Sequence, residues 1–211
     1  FHAGGWIGAA LLFFDPLSFS EMMQVVPFAV ISAILWIAGD VFIFRGLGKL
    51  DASVVGSLFM FKLISTPIVA YFGIGEVFST SIYLWMIPIL VGGVIASYDE
   101  KLKLKSFFRP EVVLIMIGLC MFSITDISNR FALQFASGIG YAGFLSLVTA
   151  LFAAIAFVVI RPQTRVTFAL AQKFTILGGI VILVNLLLIL GIAQNLTITN
   201  AIAMLNAPFL L

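Results

Sequence analysis

Two ionisable side chains sit where apolar surroundings make charge expensive. Lys62 falls near the middle of the apolar run 52–73, and Asp126 just past the middle of the run 112–133. A charge at the centre of a bilayer span costs about 2.5 to 3.5 kcal/mol on insertion scales, so it comes with a partner or a polar cavity. Lys62 can supply positive charge to a substrate carboxylate. Asp126 can bind an amine or carry a coupled proton. The structural alternative is a local ion pair, because Asp126 and Arg130 are spaced i, i+4 on one helix face and can neutralise each other.

A second tier of groups surrounds these two. Asp40 lies near the end of its run, within reach of Arg45 or Lys49, and reads as an interfacial acid. Glu76 reads as a boundary acid at the end of its run. Asn185, Gln194, Ser123, Thr125 and Asn206 can bond between helices or line a pathway. Trp36, Tyr71, Tyr83 and Trp85 can stack on an organic solute or gather at membrane interfaces, and Trp36 is the deepest of the four. Pro67, Pro88 and Pro208 interrupt helical hydrogen bonding; each is a hinge candidate for alternating access or a static kink. Ala142, Ser146, Ala150 and Ala154, like Gly92 and Ala96, form small-residue seams that let helices approach closely.

The elements that must position these groups follow from composition. Of 211 residues, 63% are hydrophobic and 9% charged, against about 25% charged in a soluble domain. The chain therefore reads as an all-α polytopic membrane helix bundle. Six apolar runs have the roughly 20-residue length of a span, at 25–44, 52–73, 81–98, 112–133, 141–160 and 174–193. Two partial runs, 1–14 and 201–211, flank them. A barrel is excluded by the lack of strict alternation, since stretches such as 180–190 are apolar throughout.

The net charge of +2, with no interleaving of basic and aromatic residues, gives no basis for nucleic-acid binding. Cys120 and His2 are the sole cysteine and histidine, so neither a disulfide framework nor a clustered Cys/His metal site is available. No cofactor is expected, and no phosphate-cradling, zinc-protease or serine-hydrolase motif occurs. Gly39-Asp40 and Tyr98-Asp99 hint at a membrane aspartyl protease, but Ile37 breaks the Gly-x-Gly-Asp pattern. An enzyme is not expected.

Basic residues are distributed unevenly. Arg45, Lys49, Lys101, Lys103, Lys105, Arg109, Arg161, Arg165 and Lys173 fall in alternate connections. The connections 15–24, 73–80, 134–140 and 195–200 contain none. By the positive-inside rule, loops 45–51, 99–111 and 161–173 are cytoplasmic in a multi-pass protein of the cell membrane. Lys101 to Arg109 can also touch anionic lipid headgroups.

Internal repetition is faint but directional. Residues 46–53 resemble 192–199, each a helix end, a tight polar turn and a new helix start, at an offset of 146. The two halves, 1–105 and 106–211, meet near 99–110. An odd number of spans per half inverts the second against the first, as in many transporters. Ten spans are expected in the complete protein, one before Phe1 and the remainder after Leu211.

The stretch Gly46–Ser53, together with Pro67, Gly75-Glu76, Gly92-Gly93 with Ala96, Asn129-Arg130 and Pro208, resembles the EamA-type drug/metabolite transporter family, whose repeat has five helices. Asp51 stands where that family has proline, and Pro67 lies about one turn late. The resemblance implies two inverted five-helix repeats and a small-molecule substrate bound between them: an amino acid, another metabolite or an amphipathic drug. It implies export, and a proton or solute gradient is the expected energy source because no nucleotide site is present; Lys62, Asp126, Trp36 and Asn185, from their depth and chemistry, and Asn129 and Arg130, from the resemblance, are the candidate substrate contacts. The lipid bilayer is the remaining partner, and the working form is a monomer or homodimer. The alternatives are a non-transporting membrane scaffold or subunit whose buried charges lock helices, and an intramembrane enzyme acting on lipid.

Overall fold

The computed structural model describes residues 2–47, 50, 58–59, 61–77 and 109–160, together with isolated positions between 80 and 91 and between 172 and 190. Among the described residues the regular structure is helical: α1 (His2–Phe14), α2 (Phe19–Leu47), α3 (Phe61–Ile74), α4 (Pro110–Ala132) and α5 (Gly138–Ile160). Helices α2 and α4, and α5 as far as Val159, are long and apolar enough to cross a membrane; the apolar parts of α1 and α3 are shorter. The isolated positions are helical as well. The runs 81–98, 174–193 and 201–211 otherwise lie outside the described residues, as do Asn185 and Pro208, so the count of spans and the repeat rest on the sequence alone.

Local chemistry sets the helix ends. The sequence places a connection over 15–24, yet α2 begins at Phe19. The reason is a capping box: Ser18 Oγ accepts from the Glu21 N–H (3.3 Å), while the Glu21 carboxylate accepts from the Ser18 N–H (2.8 Å) and hydroxyl (2.6 Å). That reciprocal closure starts the helix before the apolar run does, and its 29 residues run for about 43 Å. Pro110 occupies the first position of α4, where a missing N–H costs nothing. Gly75, at φ 66°, closes α3 in the left-handed region, its N–H on the Tyr71 carbonyl at 3.0 Å.

The chain divides into two compact units. The first comprises Phe1–Ile34 and Ser128–Thr197, hence α1, the start of α2, the end of α4, and α5. Its core is Val25, Ala29, Ala132, Tyr141, Ala142, Leu145 and Ile189. Helices α1 and α5 cross at glycines: a Cβ on Gly8 would stand 2.8 Å from the Gly143 carbonyl oxygen, and one on Gly143 would stand 3.0 Å from that of Gly8. Ser146 and Ala150 of the expected small-residue seam line the same crossing, against Gly8 and Gly5. The start of α5 is capped from a distance. Ser137 Oγ accepts from the Gly140 N–H, and the Asp15 carboxylate accepts from both Ser137 Oγ and that N–H. A carboxylate there also meets the positive end of the helix dipole.

The second unit comprises Leu35–Ile127 and Ile198–Leu211, hence the rest of α2, α3 and most of α4. Ile43, Leu58, Val112, Ile115 and Leu119 form its core. Here α2 and α4 run antiparallel: Gly39 lies against Gly118, and Gly46 against Glu111 and Ile115. Small residues let the backbones close where lipid provides no hydrophobic drive for helices to associate. Large apolar side chains are left outside, among them Phe44 at 68% and Phe72 at 82% exposure. An outward apolar surface of this kind suits lipid.

A side chain at Gly118 has nowhere to go, because its Cβ would stand 2.7 Å from Ile43 and 2.8 Å from the Gly39 carbonyl. Gly118→Val should therefore lower the thermal unfolding midpoint in detergent by roughly 5 °C, the scale of an overpacked contact. Gly179→Ala, at a helical position where nothing lies within 4 Å, should not lower it.

Candidate functional site

Lys62 stands at the second residue of α3 and Asp126 in the C-terminal half of α4. The structure brings them together: Lys62 Nζ lies 3.0 Å from Asp126 Oδ2, with side chains 19% and 2% exposed. The local i, i+4 alternative is thus not what holds Asp126, whose charge is met across helices. Asp126 Oδ2 is buried, and the ammonium meets it both as a charge and as a hydrogen-bond donor. Pairing explains how two charges reside in apolar helices, and the partial exposure of Lys62 lets its ammonium remain the accessible end.

Hydroxyls continue the polar seam by one turn. Ser123 Oγ lies 2.8 Å from Ser65 Oγ and 3.0 Å from Thr66 Oγ1. It also donates to the Leu119 carbonyl (3.1 Å), while Ser65 Oγ reaches the Lys62 carbonyl at 3.3 Å. Ser65, Thr66 and Ser123 are all buried. Ser123 gives its single proton to Leu119 and accepts from Thr66, while the single Ser65 proton is shared between Ser123 Oγ and the more distant Lys62 carbonyl.

Aromatic rings flank the pair. The Phe122 ring centroid lies 5.9 Å from Lys62 Nζ and 5.2 Å from the Trp36 ring, within cation–π range for the ammonium. The Trp36 indole bonds to Asp40 one turn along α2, so Asp40 has a partner within the helix besides its proximity to the helix end. Lys62, paired with Asp126, and Trp36 thus share Phe122 as a neighbour. Phe122, Ser65 and Thr66 went unnoticed in the sequence. The i+3 and i+4 spacing from Lys62 and the i+3 spacing of Asp126 from Ser123 were legible signals of shared faces. What the sequence lacked was any sign that α3 packs on α4.

Asn129 belongs to the first unit. Its Oδ1 accepts from Tyr141 Oη (2.8 Å) and from Ser32 Oγ (3.0 Å), all three residues buried. Next to it, Ser128 Oγ donates to the Phe28 carbonyl (3.1 Å), and Phe28 stacks on Phe131 and Phe135, each at 6.0 Å. The arrangement is an interhelical lock joining α2, α4 and α5. Arg130 is half-buried in the last turn of α4, where a cation complements the helix C-terminus. Pro67 is buried inside α3 without ending it, and Pro88 is exposed at a helical position. Asn185 and Pro208 fall outside the described residues.

Removing one partner of the ion pair leaves the other uncompensated. Asp126→Leu should destabilise the protein by about 3 kcal/mol, the low end for a broken buried pair because the Lys62 ammonium can reach outward. Lys62→Met combined with Asp126→Leu should recover most of that loss, and SDS-induced unfolding of the three proteins measures both. The chain matches no protein-family model, no curated protein and no solved structure.

Proposed function

We propose that the chain is the greater part of a ten-helix secondary transporter of small solutes, working by alternating access. The observation that carries this reading is the Lys62–Asp126 pair, 3.0 Å apart, joining one charged residue from the half 1–105 to one from the half 106–211. Ionisable groups retained at depth in a membrane protein mark solute or ion paths by default. The aromatic pair Trp36 and Phe122 adds a surface on which an organic solute stacks. The resemblance to EamA-type drug/metabolite transporters supports inverted repeats, export, and amino acids, other small metabolites or amphipathic drugs as cargo. The basic loops 45–51, 99–111 and 161–173 face the cytoplasm of a cell in whose plasma membrane the protein sits.

A scaffold role is favoured by one specific feature, the Asn129–Tyr141–Ser32 lock, in which buried polar groups do nothing but join helices. The two readings separate on flux of the wild type, and a charge swap then tests the pair's role in transport. Lys62→Asp with Asp126→Lys should restore folding in either case, but should not restore flux in a transporter, because the charge presented to solute is reversed.

Asp126→Asn should insert and fold yet lower flux of a radiolabelled panel of amino acids and amphipathic drugs at least tenfold in proteoliposomes of the full-length protein. Normal flux by this variant would remove Asp126 from the mechanism. No flux by the wild type for any member of the panel would favour the scaffold.

A further inference from the structure

The two charges of the ion pair are not equally open. Lys62 and Asp126 meet at 3.0 Å, yet their side chains are 19% and 2% exposed. An incoming solute therefore reaches the ammonium before the carboxylate, and the group an ammonium binds at close range is an anion. The Phe122 ring centroid lies 5.9 Å from Lys62 Nζ. The carbon skeleton of a carboxylate held on that nitrogen thus has an apolar neighbour.

We infer that the solute is an aromatic or apolar monocarboxylate, which takes Lys62 from Asp126 and brings one proton with it. Charge balance among apolar helices carries the second part. Before the exchange the pair sums to zero. A solute anion alone would leave two carboxylates with one ammonium, and the carboxylate left without its cation would be the buried one. A proton drawn from water restores neutrality: the salt bridge to Asp126 breaks, an O–H bond forms on its carboxyl, and the ammonium keeps its charge by passing from one carboxylate to the other. The occupied site then holds the ammonium, the solute carboxylate and a neutral Asp126, again zero in sum. Carriage is electroneutral, so the solute and pH gradients drive it and the membrane voltage does not.

The surroundings of Asp126 leave this exchange to Lys62, the charged group at ion-pair distance on α3. On α4 itself, Arg130 stands one turn further on, half-buried in the last turn. On α2, Asp40 is engaged by the Trp36 indole. Glu111 and Arg45 lie at the other end of these helices, in the first turn of α4 and the last of α2. The adjoining hydroxyls of Ser65, Thr66 and Ser123 are neutral and bonded among themselves.

Since this exchange deepens the transport reading and depends on it, the test reads binding and protons in detergent and keeps flux apart. Hydrocinnamate, a phenyl-bearing carboxylate, and phenethylamine, its amine counterpart, are bound to the purified full-length protein by equilibrium dialysis. A pH-indicator dye in weak buffer follows proton uptake. The wild type should bind hydrocinnamate and not phenethylamine, with about one proton taken up per molecule. Because the bound state holds one proton more, affinity should fall about tenfold for each pH unit between roughly 6.5 and 8.5. Asp126→Asn neither pairs with the ammonium as a charge nor takes a proton. It should bind hydrocinnamate at least about tenfold more tightly at the upper end of that range, without proton uptake or pH dependence. Lys62→Met combined with Asp126→Leu, which removes both charges together, should not bind it.

A wild type that ignores hydrocinnamate, prefers phenethylamine, or binds without taking up a proton would overturn the inference. So would proton uptake that persists in Asp126→Asn, or a double variant that binds as well as the wild type. Should Asp126→Asn fail to fold, the wild-type pH slope and the double variant decide between these outcomes. Hydrocinnamate bound with its proton but not carried into proteoliposomes would support the exchange and count against transport alone.

Discussion

Opposite charges meeting at 3.0 Å among apolar helices set the terms for the second unit. Each alone would cost about 2.5 to 3.5 kcal/mol at the centre of a span, so α3 and α4 are committed to packing at the height where Lys62 faces Asp126. That fixes the register of everything nearby. Ser123, one turn from Asp126, meets Ser65 and Thr66, one turn from Lys62. Phe122 is brought against both the ammonium and the Trp36 ring. One electrostatic requirement thereby aligns a hydroxyl cluster, an aromatic pair and three helices.

The first unit solves the same problem with neutral groups. Its polar residues are satisfied by one another, as when Asn129 Oδ1 takes protons from Tyr141 and Ser32. Its closest approach is between backbones at Gly8 and Gly143. In lipid, apolar side chains gain nothing by choosing a neighbouring helix over an acyl chain, so close packing and interhelical hydrogen bonds decide which helices touch. The contrast in chemistry is informative: a buried ion pair holds the unit in which Lys62 and Asp126 meet, whereas the core of the other buries hydroxyl, phenol and amide.

Much of this was legible in the residues, for physical reasons that also mark the boundary. Long apolar runs declare helices, because a backbone in lipid must satisfy its own hydrogen bonds; α2, α4 and α5 lie where the runs at 25–44, 112–133 and 141–160 place them. The early start of α2 was missed because hydropathy ignores caps, although Ser18 and Glu21 carry the spacing of a capping box. Lys62 and Asp126 stood out as costly, but their meeting did not. Helices apolar on every side have no preferred face, so nothing in a single sequence says which neighbour Asp126 will find. Phe122 was hidden for the same reason, one of 22 phenylalanines with no polar mark to distinguish it. Asn129 drew notice through family resemblance, which says nothing of the Tyr141 and Ser32 protons it receives.

The distant cap on α5 imposes an order on biosynthesis. Asp15 leaves the ribosome 122 residues ahead of Ser137, which at about 5 to 20 residues per second is a delay of roughly 6 to 24 s. Throughout that interval its carboxylate lacks the hydroxyl and amide that later receive it, and the turn between α1 and α2 has to be kept wet at the bilayer edge. Only when α5 emerges can the turn between α1 and α2 be fastened, so a segment made early is among the last to be secured.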